Sequence, residues 1–121
     1  MIRIRNEQKK ALAAGSRKDF EDRMVAHIRK FFPKHYEQLK EENTRLLVDH
    51  EIERAKTYGI VAERDVCKYI DLSLVFGPDF DADGKQPWAT EILTDKRIDD
   101  PSYRTDRLFR AGLAHLKESH G

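Results

Sequence analysis

Glu63-Arg64-Asp65-Val66-Cys67-Lys68-Tyr69-Ile70-Asp71-Leu72-Ser73-Leu74-Val75-Phe76-Gly77-Pro78 decides the fold class of this chain. Val66, Ile70, Ser73 and Leu74 recur at three- and four-residue spacing, which places them on one face of a helix. Cys67, Tyr69 and Phe76 flank that stripe. Ala62 is a poor N-cap, so Glu63 and Asp65 on the helix dipole must secure the start. Gly77-Pro78 is a stop, because proline cannot continue the hydrogen-bond ladder. The spacing predicts a helix over about 62–76.

The same period extends outward in both directions. Upstream, Leu47, Val48, Ile52 and Ala55 predict a helix over about 44–57, capped by Asn43 or Thr44 and ended by Gly59 after Tyr58. Pro33 suits the first turn of a shorter helix through Tyr36 and Leu39. Phe20, Met24, His27/Ile28 and Phe31 predict a helix over about 17–32, with Ser16 and Asp19 resembling a capping box. A short helix over 7–14 would end at Gly15. Ile2 and Ile4 alternate with Arg3 and Arg5, as in an extended arm over 1–5. Downstream, Pro87 opens a short helix reaching about Leu93. Asp100-Pro101 opens a last helix over about 101–118, whose inner face takes Tyr103 or Thr105, Leu108, Phe109, Gly112, Leu113 and Leu116. Gly112 in mid-helix is unfavourable by about 1 kcal/mol against Ala, which implies a close helix crossing. The expected fold is an all-α, single-domain bundle of five to six helices over residues 1–121, with a short extended N-terminal arm.

Composition fits that architecture. Charged residues are 37% of the 121 and hydrophobic ones 39%, a balance that suits helices with wholly charged outer faces. Cys67 stands alone, which excludes an internal disulfide and points to a reduced, cytoplasmic setting. No apolar run reaches bilayer-spanning length, and the first residues lack the apolar stretch of a signal peptide. The net charge of +1 conceals an asymmetry. Residues 1–18 carry six Lys and Arg against Glu7, while residues 79–100 carry seven acids against three bases. Opposed patches favour oriented docking, to itself or to a partner, and two solvated faces are the simpler reading. The near-neutral whole and the few aromatics in the basic arm argue against nucleic acid.

Asp79-Phe80-Asp81-Ala82-Asp83-Gly84 has the letters that open a calcium loop, with oxygen donors at positions 1, 3 and 5 and glycine at 6. Position 12, which should be a bidentate Glu, is Thr90, and position 8 is Gln86. Asp79, Asp81 and Asp83 are thus weak metal candidates, and an aspartate-rich turn with local hydrogen bonds is the simpler reading. Pro78-Asp79 and Asp83-Gly84-Lys85 match a metal-nuclease signature in letters alone, since those acids must converge from adjacent strands. Histidines 27, 35, 50, 115 and 120 contain no pair at four-residue spacing, and no Cys-x-x-Cys occurs, so zinc has no helical His pair to bind. Cys67 reads as a small buried thiol. Trp88 reads as the anchor of the short helix, or, if exposed, as an interface hot spot. No catalytic residue and no cofactor is expected.

Tyr58-Gly59-Ile60, Glu63-Arg64-Asp65-Val66, Tyr69-Ile70-Asp71-Leu72, Phe76 to Asp81, Pro87-Trp88-Ala89 and Ile92-Leu93, with Phe20 to Met24 and Phe31-Phe32-Pro33, resemble a group of small bacterial proteins encoded beside type VI secretion effector, spike-tip and adaptor genes. The resemblance spans about 18–115 and carries no active site. It implies an accessory or co-chaperone role in loading an effector. Together the readings point to a non-enzymatic protein-interaction module whose partner is a secretion effector, adaptor or spike protein. Tyr69, Asp79, Phe80, Asp81, Trp88, Arg3 and Arg5 are the candidate partner-binding residues. Two alternatives are an immunity protein whose acidic loop plugs a toxin's basic site, and a small calcium-binding regulator.

Overall fold

The structure, a computed structural model, describes residues 14–120. The described residues form five helices in this order: α1 (Ala14–Phe31), α2 (Pro33–Thr57), α3 (Glu63–Phe76), α4 (Pro87–Leu93) and α5 (Pro101–His120). No strand occurs among the described residues. The expected all-α fold is present. The arm over 1–5 and, Ala14 apart, the helix over 7–14 lie outside the described residues. Gly15 and Ser16 sit inside α1 rather than between two helices. The capping-box reading was therefore wrong: Ser16 heads no helix.

Cross-helix polar pairs give the directions of packing. Arg17 of α1 bonds Asp49 and Glu53 of α2, and Asp22 bonds Arg45 at 2.7 Å, so α1 and α2 run antiparallel. Arg23 reaches Glu63 at 2.7 Å and His27 reaches Asp71 at 3.0 Å, so α1 runs parallel to α3. Ser102 donates to Asp65 at 2.6 Å, and Lys68 meets Asp106 at 2.9 Å, which aligns α3 with α5. Exposed pairs of this kind contribute little each. The apolar core supplies the stability: Phe20, Met24, Ile28, Val48, Ile52, Ile60, Val66, Ile70, Leu93 and Leu108 are all buried.

The helix ends follow local chemistry. The N–H of Gly59 donates to the carbonyl of Lys56, and that of Ile60 to the carbonyl of Ala55. This is a Schellman cap, and Gly59 takes the positive φ of 78° that it requires. Asp100 caps α5 by accepting from the N–H of Ser102 at 3.1 Å. Arg104 closes the other side of that junction, donating to the carbonyls of Ile92, Leu93 and Ile98, where α4 leaves acceptors without intrahelical partners.

Three expectations change. The break between the short and long helices falls at Lys40, not at Asn43 or Thr44, and the two pieces continue as α2 across it. Lys40 has φ 66° and ψ 175°, a region that side chains avoid. Thr44 caps nothing; its side chain is buried on the core face. Phe31, Tyr103 and Leu113, placed on inner faces by their spacing, point to solvent at 60%, 53% and 52% exposure. Phe31 ends α1, and Thr105 rather than Tyr103 takes the inner position on α5.

Gly112 does mark a close crossing. A Cβ built there would lie 2.6 Å from Cδ2 of Leu72 and 3.4 Å from the Phe76 and Trp88 rings. Leu72 is buried and has no room to retreat. Gly112→Val should lower stability by roughly 2–3 kcal/mol. Gly112→Ala should lower it less, because a helix-propensity gain of about 1 kcal/mol offsets part of the clash. Lys40→Gly should act oppositely, raising stability by roughly 1–2 kcal/mol through relief of the backbone strain. Urea unfolding midpoints of the three variants check these signs, and a loss of stability in Lys40→Gly would mean that position 40 is helical in solution.

Candidate functional site

The loop from Gly77 to Gln86 holds its acids apart. Asp81 is turned inward and fully buried. Its carboxylate pairs with the Arg54 guanidinium and accepts from the Tyr58 hydroxyl at 2.6 Å. Asp83 accepts from the backbone N–H of Lys85 at 2.9 Å, a local Asx turn. Asp79 lies on the surface, 3.8 Å from the His50 ring. The three carboxylates are thus each engaged elsewhere, and they form no group able to hold a metal. The local geometry is that of an aspartate-rich turn.

Tyr69, Phe80 and Asp81 must be withdrawn as partner-binding residues, because each is fully buried. Phe80 packs on Tyr69 with ring centroids 5.1 Å apart, and Tyr58 packs on Tyr69 at 6.5 Å. The apolar period on α3 is wide enough to draw in Tyr69, and Phe80 follows it as the loop folds back. Asp79 remains outside, and Arg3 and Arg5 lie outside the described residues. Trp88 is half-buried. It meets Phe76 edge-to-face at 5.2 Å, stacks on His115 at 4.8 Å and donates from Nε1 to Gln86 at 2.9 Å. Trp88 therefore anchors α4 to α3 and α5.

Sequence reasoning missed Glu51. It lies on the core face of α2 with no exposed surface. Neither carboxylate oxygen has a hydrogen-bond partner within the protein, and the Tyr69 hydroxyl beside this cluster also lacks one. Burial, reinforced by Asp81 and Asp79, pushes the Glu51 carboxyl up to about 8. The same neighbourhood raises both phenols: burial and then Asp81 push Tyr58 up to about 12 and shift Tyr69 in the same direction. The signal available in the sequence was the period itself, since Glu51 lies three residues after Val48 and four before Ala55.

A second constellation joins α1 to α3. His27 Nε2 is 3.0 Å from Asp71 Oδ1 and 3.9 Å from Cys67 Sγ. One ligand atom from each of the three residues lies within 4.8 Å of the other two. Burial, then the Asp71 charge, pushes the Cys67 thiol up to about 11, and burial also raises Asp71. This is not a nucleophile relay, which needs the base to meet thiol and carboxylate through different ring nitrogens. It is a set of donors that could hold a metal. Sequence reasoning searched for paired histidines and passed over Cys67 and Asp71, which are themselves four apart on one helix.

Two open grooves border α1. One, of ≈ 450 Å³, lies beside the Lys40 break and is lined by Val25, Ala26 and Tyr36 with Asp22, Arg29, Lys30, Glu41 and Arg45. The other, of ≈ 360 Å³, leads to Cys67 and His27 past Phe20, Met24, Arg23, Glu63 and Arg64. No described helix is long and apolar enough to cross a membrane. The chain matches no protein-family model, no curated protein and no solved structure at a significant level.

Glu51 should make the fold sensitive to pH. Between the ordinary value of 4.5 and about 8, the native carboxyl keeps a proton that the unfolded chain has released. Stability therefore falls as pH rises through that window and levels off above it. Glu51→Gln should remove a fall on the order of 3 kcal/mol between pH 5 and pH 8. Urea unfolding across that range checks it, and an unchanged slope in the variant would assign the effect elsewhere.

Proposed function

We propose that this chain is a non-enzymatic protein-interaction module acting in the cytoplasm as an accessory or co-chaperone for a type VI secretion effector. The groove beside the Lys40 break carries this reading. Its lining mixes apolar Val25, Ala26 and Tyr36 with basic Arg29, Lys30 and Arg45 and acidic Asp22 and Glu41. A short amphipathic segment of a partner protein fits such a surface, its apolar side chains entering the groove and its charges fixing register. The secretion context rests on the resemblance of residues 18–115 to small proteins encoded beside such effectors. The partner is accordingly an effector, adaptor or spike protein.

The immunity reading draws on a different surface. Asp79, Asp83, Glu91, Asp99 and Asp100 are exposed along one stretch of chain, and acids of this kind suit a basic toxin site.

A photoreactive residue placed at Tyr36 in the native bacterium should crosslink to an effector, adaptor or spike protein. Arg29→Glu should weaken capture of that protein by roughly tenfold or more. Recovery of none of the three would overturn the accessory role. Protection of a cell that makes a toxin, with no change in effector export, would favour immunity instead.

A further inference from the structure

We propose that His27, Cys67 and Asp71 form a three-ligand site for a borderline-soft divalent cation, with Zn²⁺ the best fit and a fourth position open to the adjoining groove. Imidazole, thiolate and carboxylate are each zinc ligands, at about 2.0–2.3 Å from the ion. A tetrahedron of those bond lengths sets its ligand atoms roughly 3.3–3.8 Å apart. The cluster stands close to that spacing without an ion: 3.0 Å from His27 to Asp71, 3.9 Å from His27 to Cys67, and all three donors within 4.8 Å. Adjustments of roughly an ångström complete it.

The scaffold is suited to the task. Cys67 and Asp71 are one turn apart on α3 and share a face. His27 comes from the neighbouring α1, so the ion would join two helices that already lie side by side. The His27 ring is held by Phe31 and Phe32, at 5.0 and 6.3 Å between centroids, which limits the reorganisation needed on binding. The ligands are shielded but reachable, with 28% of the His27 side chain and 21% of the Asp71 side chain exposed. Arg23, one of two arginines lining the groove with Arg64, is paired with Asp19 and Glu63, so its charge opposes an incoming ion less than a bare guanidinium would. His27 also directs a single ring nitrogen at both partners, as convergence on one point demands. The site faces away from the groove proposed for the partner, on the other side of α1, and does not depend on that reading.

The test uses the full chain, reduced and stripped of metal, titrated with Co²⁺ and then Zn²⁺. One Co²⁺ per chain should bind with a thiolate-to-metal charge-transfer band in the near ultraviolet, and Zn²⁺ should displace it. Cys67→Ser should abolish the band, and His27→Gln and Asp71→Asn should each weaken Zn²⁺ binding by about tenfold or more, the range seen when metal-site partners are lost. In case a variant does not fold, two readouts need only the native chain. Zn²⁺ should slow modification of Cys67 by a thiol reagent and shift the His27 imidazole ¹⁵N resonances. No bound Co²⁺ at micromolar metal, an unprotected thiol, or a folded Cys67→Ser chain that binds Zn²⁺ as tightly as the native one would each overturn the site.

Discussion

The Asp81 carboxylate has no exposed surface, and an ionised group in that position survives only when donors and a countercharge meet it. Arg54 in the last turn of α2 and Tyr58 at its C-cap supply both. The remainder of the C-terminal half follows from this clasp. It draws the Gly77–Gln86 loop back onto α2, which carries Phe80 into the core against Tyr69. The Thr90 hydroxyl donates to the Asp81 carbonyl at 2.6 Å and so ties α4 to the same loop. Trp88 then lies against Phe76 and His115, and α5 crosses α3 at Gly112, where Leu72 fills the space of a side chain. Removing one member of a buried charged pair leaves the other unsatisfied, so the clasp specifies this corner more than its net contribution to stability would suggest.

The helices were legible because their signals are local. The Gly-Pro stop after Phe76, the proline starts at Pro33, Pro87 and Pro101, the Asp100 cap and the Gly59 cap depend on residues within a few positions of one another, and all are present as read. The start of α1 was misread because Gly15 and Ser16 carry breaker and cap signals that the helix overrides. Lys40 offered no signal at all: nothing in its side chain asks for a positive φ. Phe31 and Leu113 show the limit of periodicity. It ranks the faces of a helix but does not say where the neighbouring helix ends.

The polar sites were less legible, for the same reason turned around. The Asp79–Asp83 run drew attention because its acids are adjacent in sequence, yet Asp81 belongs with Arg54 across 27 residues. Glu51 sat in plain view on an apolar stripe, where its charge disguised its burial. His27 and Cys67 are 40 residues apart, and only the parallel packing of α1 on α3 brings them together. Chemistry assembled across helices is invisible to a search for short motifs, whereas a chemical motif within one loop can be no more than a turn.

Most packing is between helices near in the chain: α1 on α2, α2 on α3, α4 on α5 and α5 on α3, while α1 meets α3 through side chains. Each contact thus closes a short stretch of chain, at low entropic cost per loop. Topologies of this sort fold quickly, in roughly microseconds to milliseconds. α1, α2 and α3 hold most of the buried apolar side chains and meet through connections of a few residues, so they share one continuous apolar core. The last two helices rest on a surface that these three supply, and the loop leading to them is pinned to α2 where Asp81 meets Arg54.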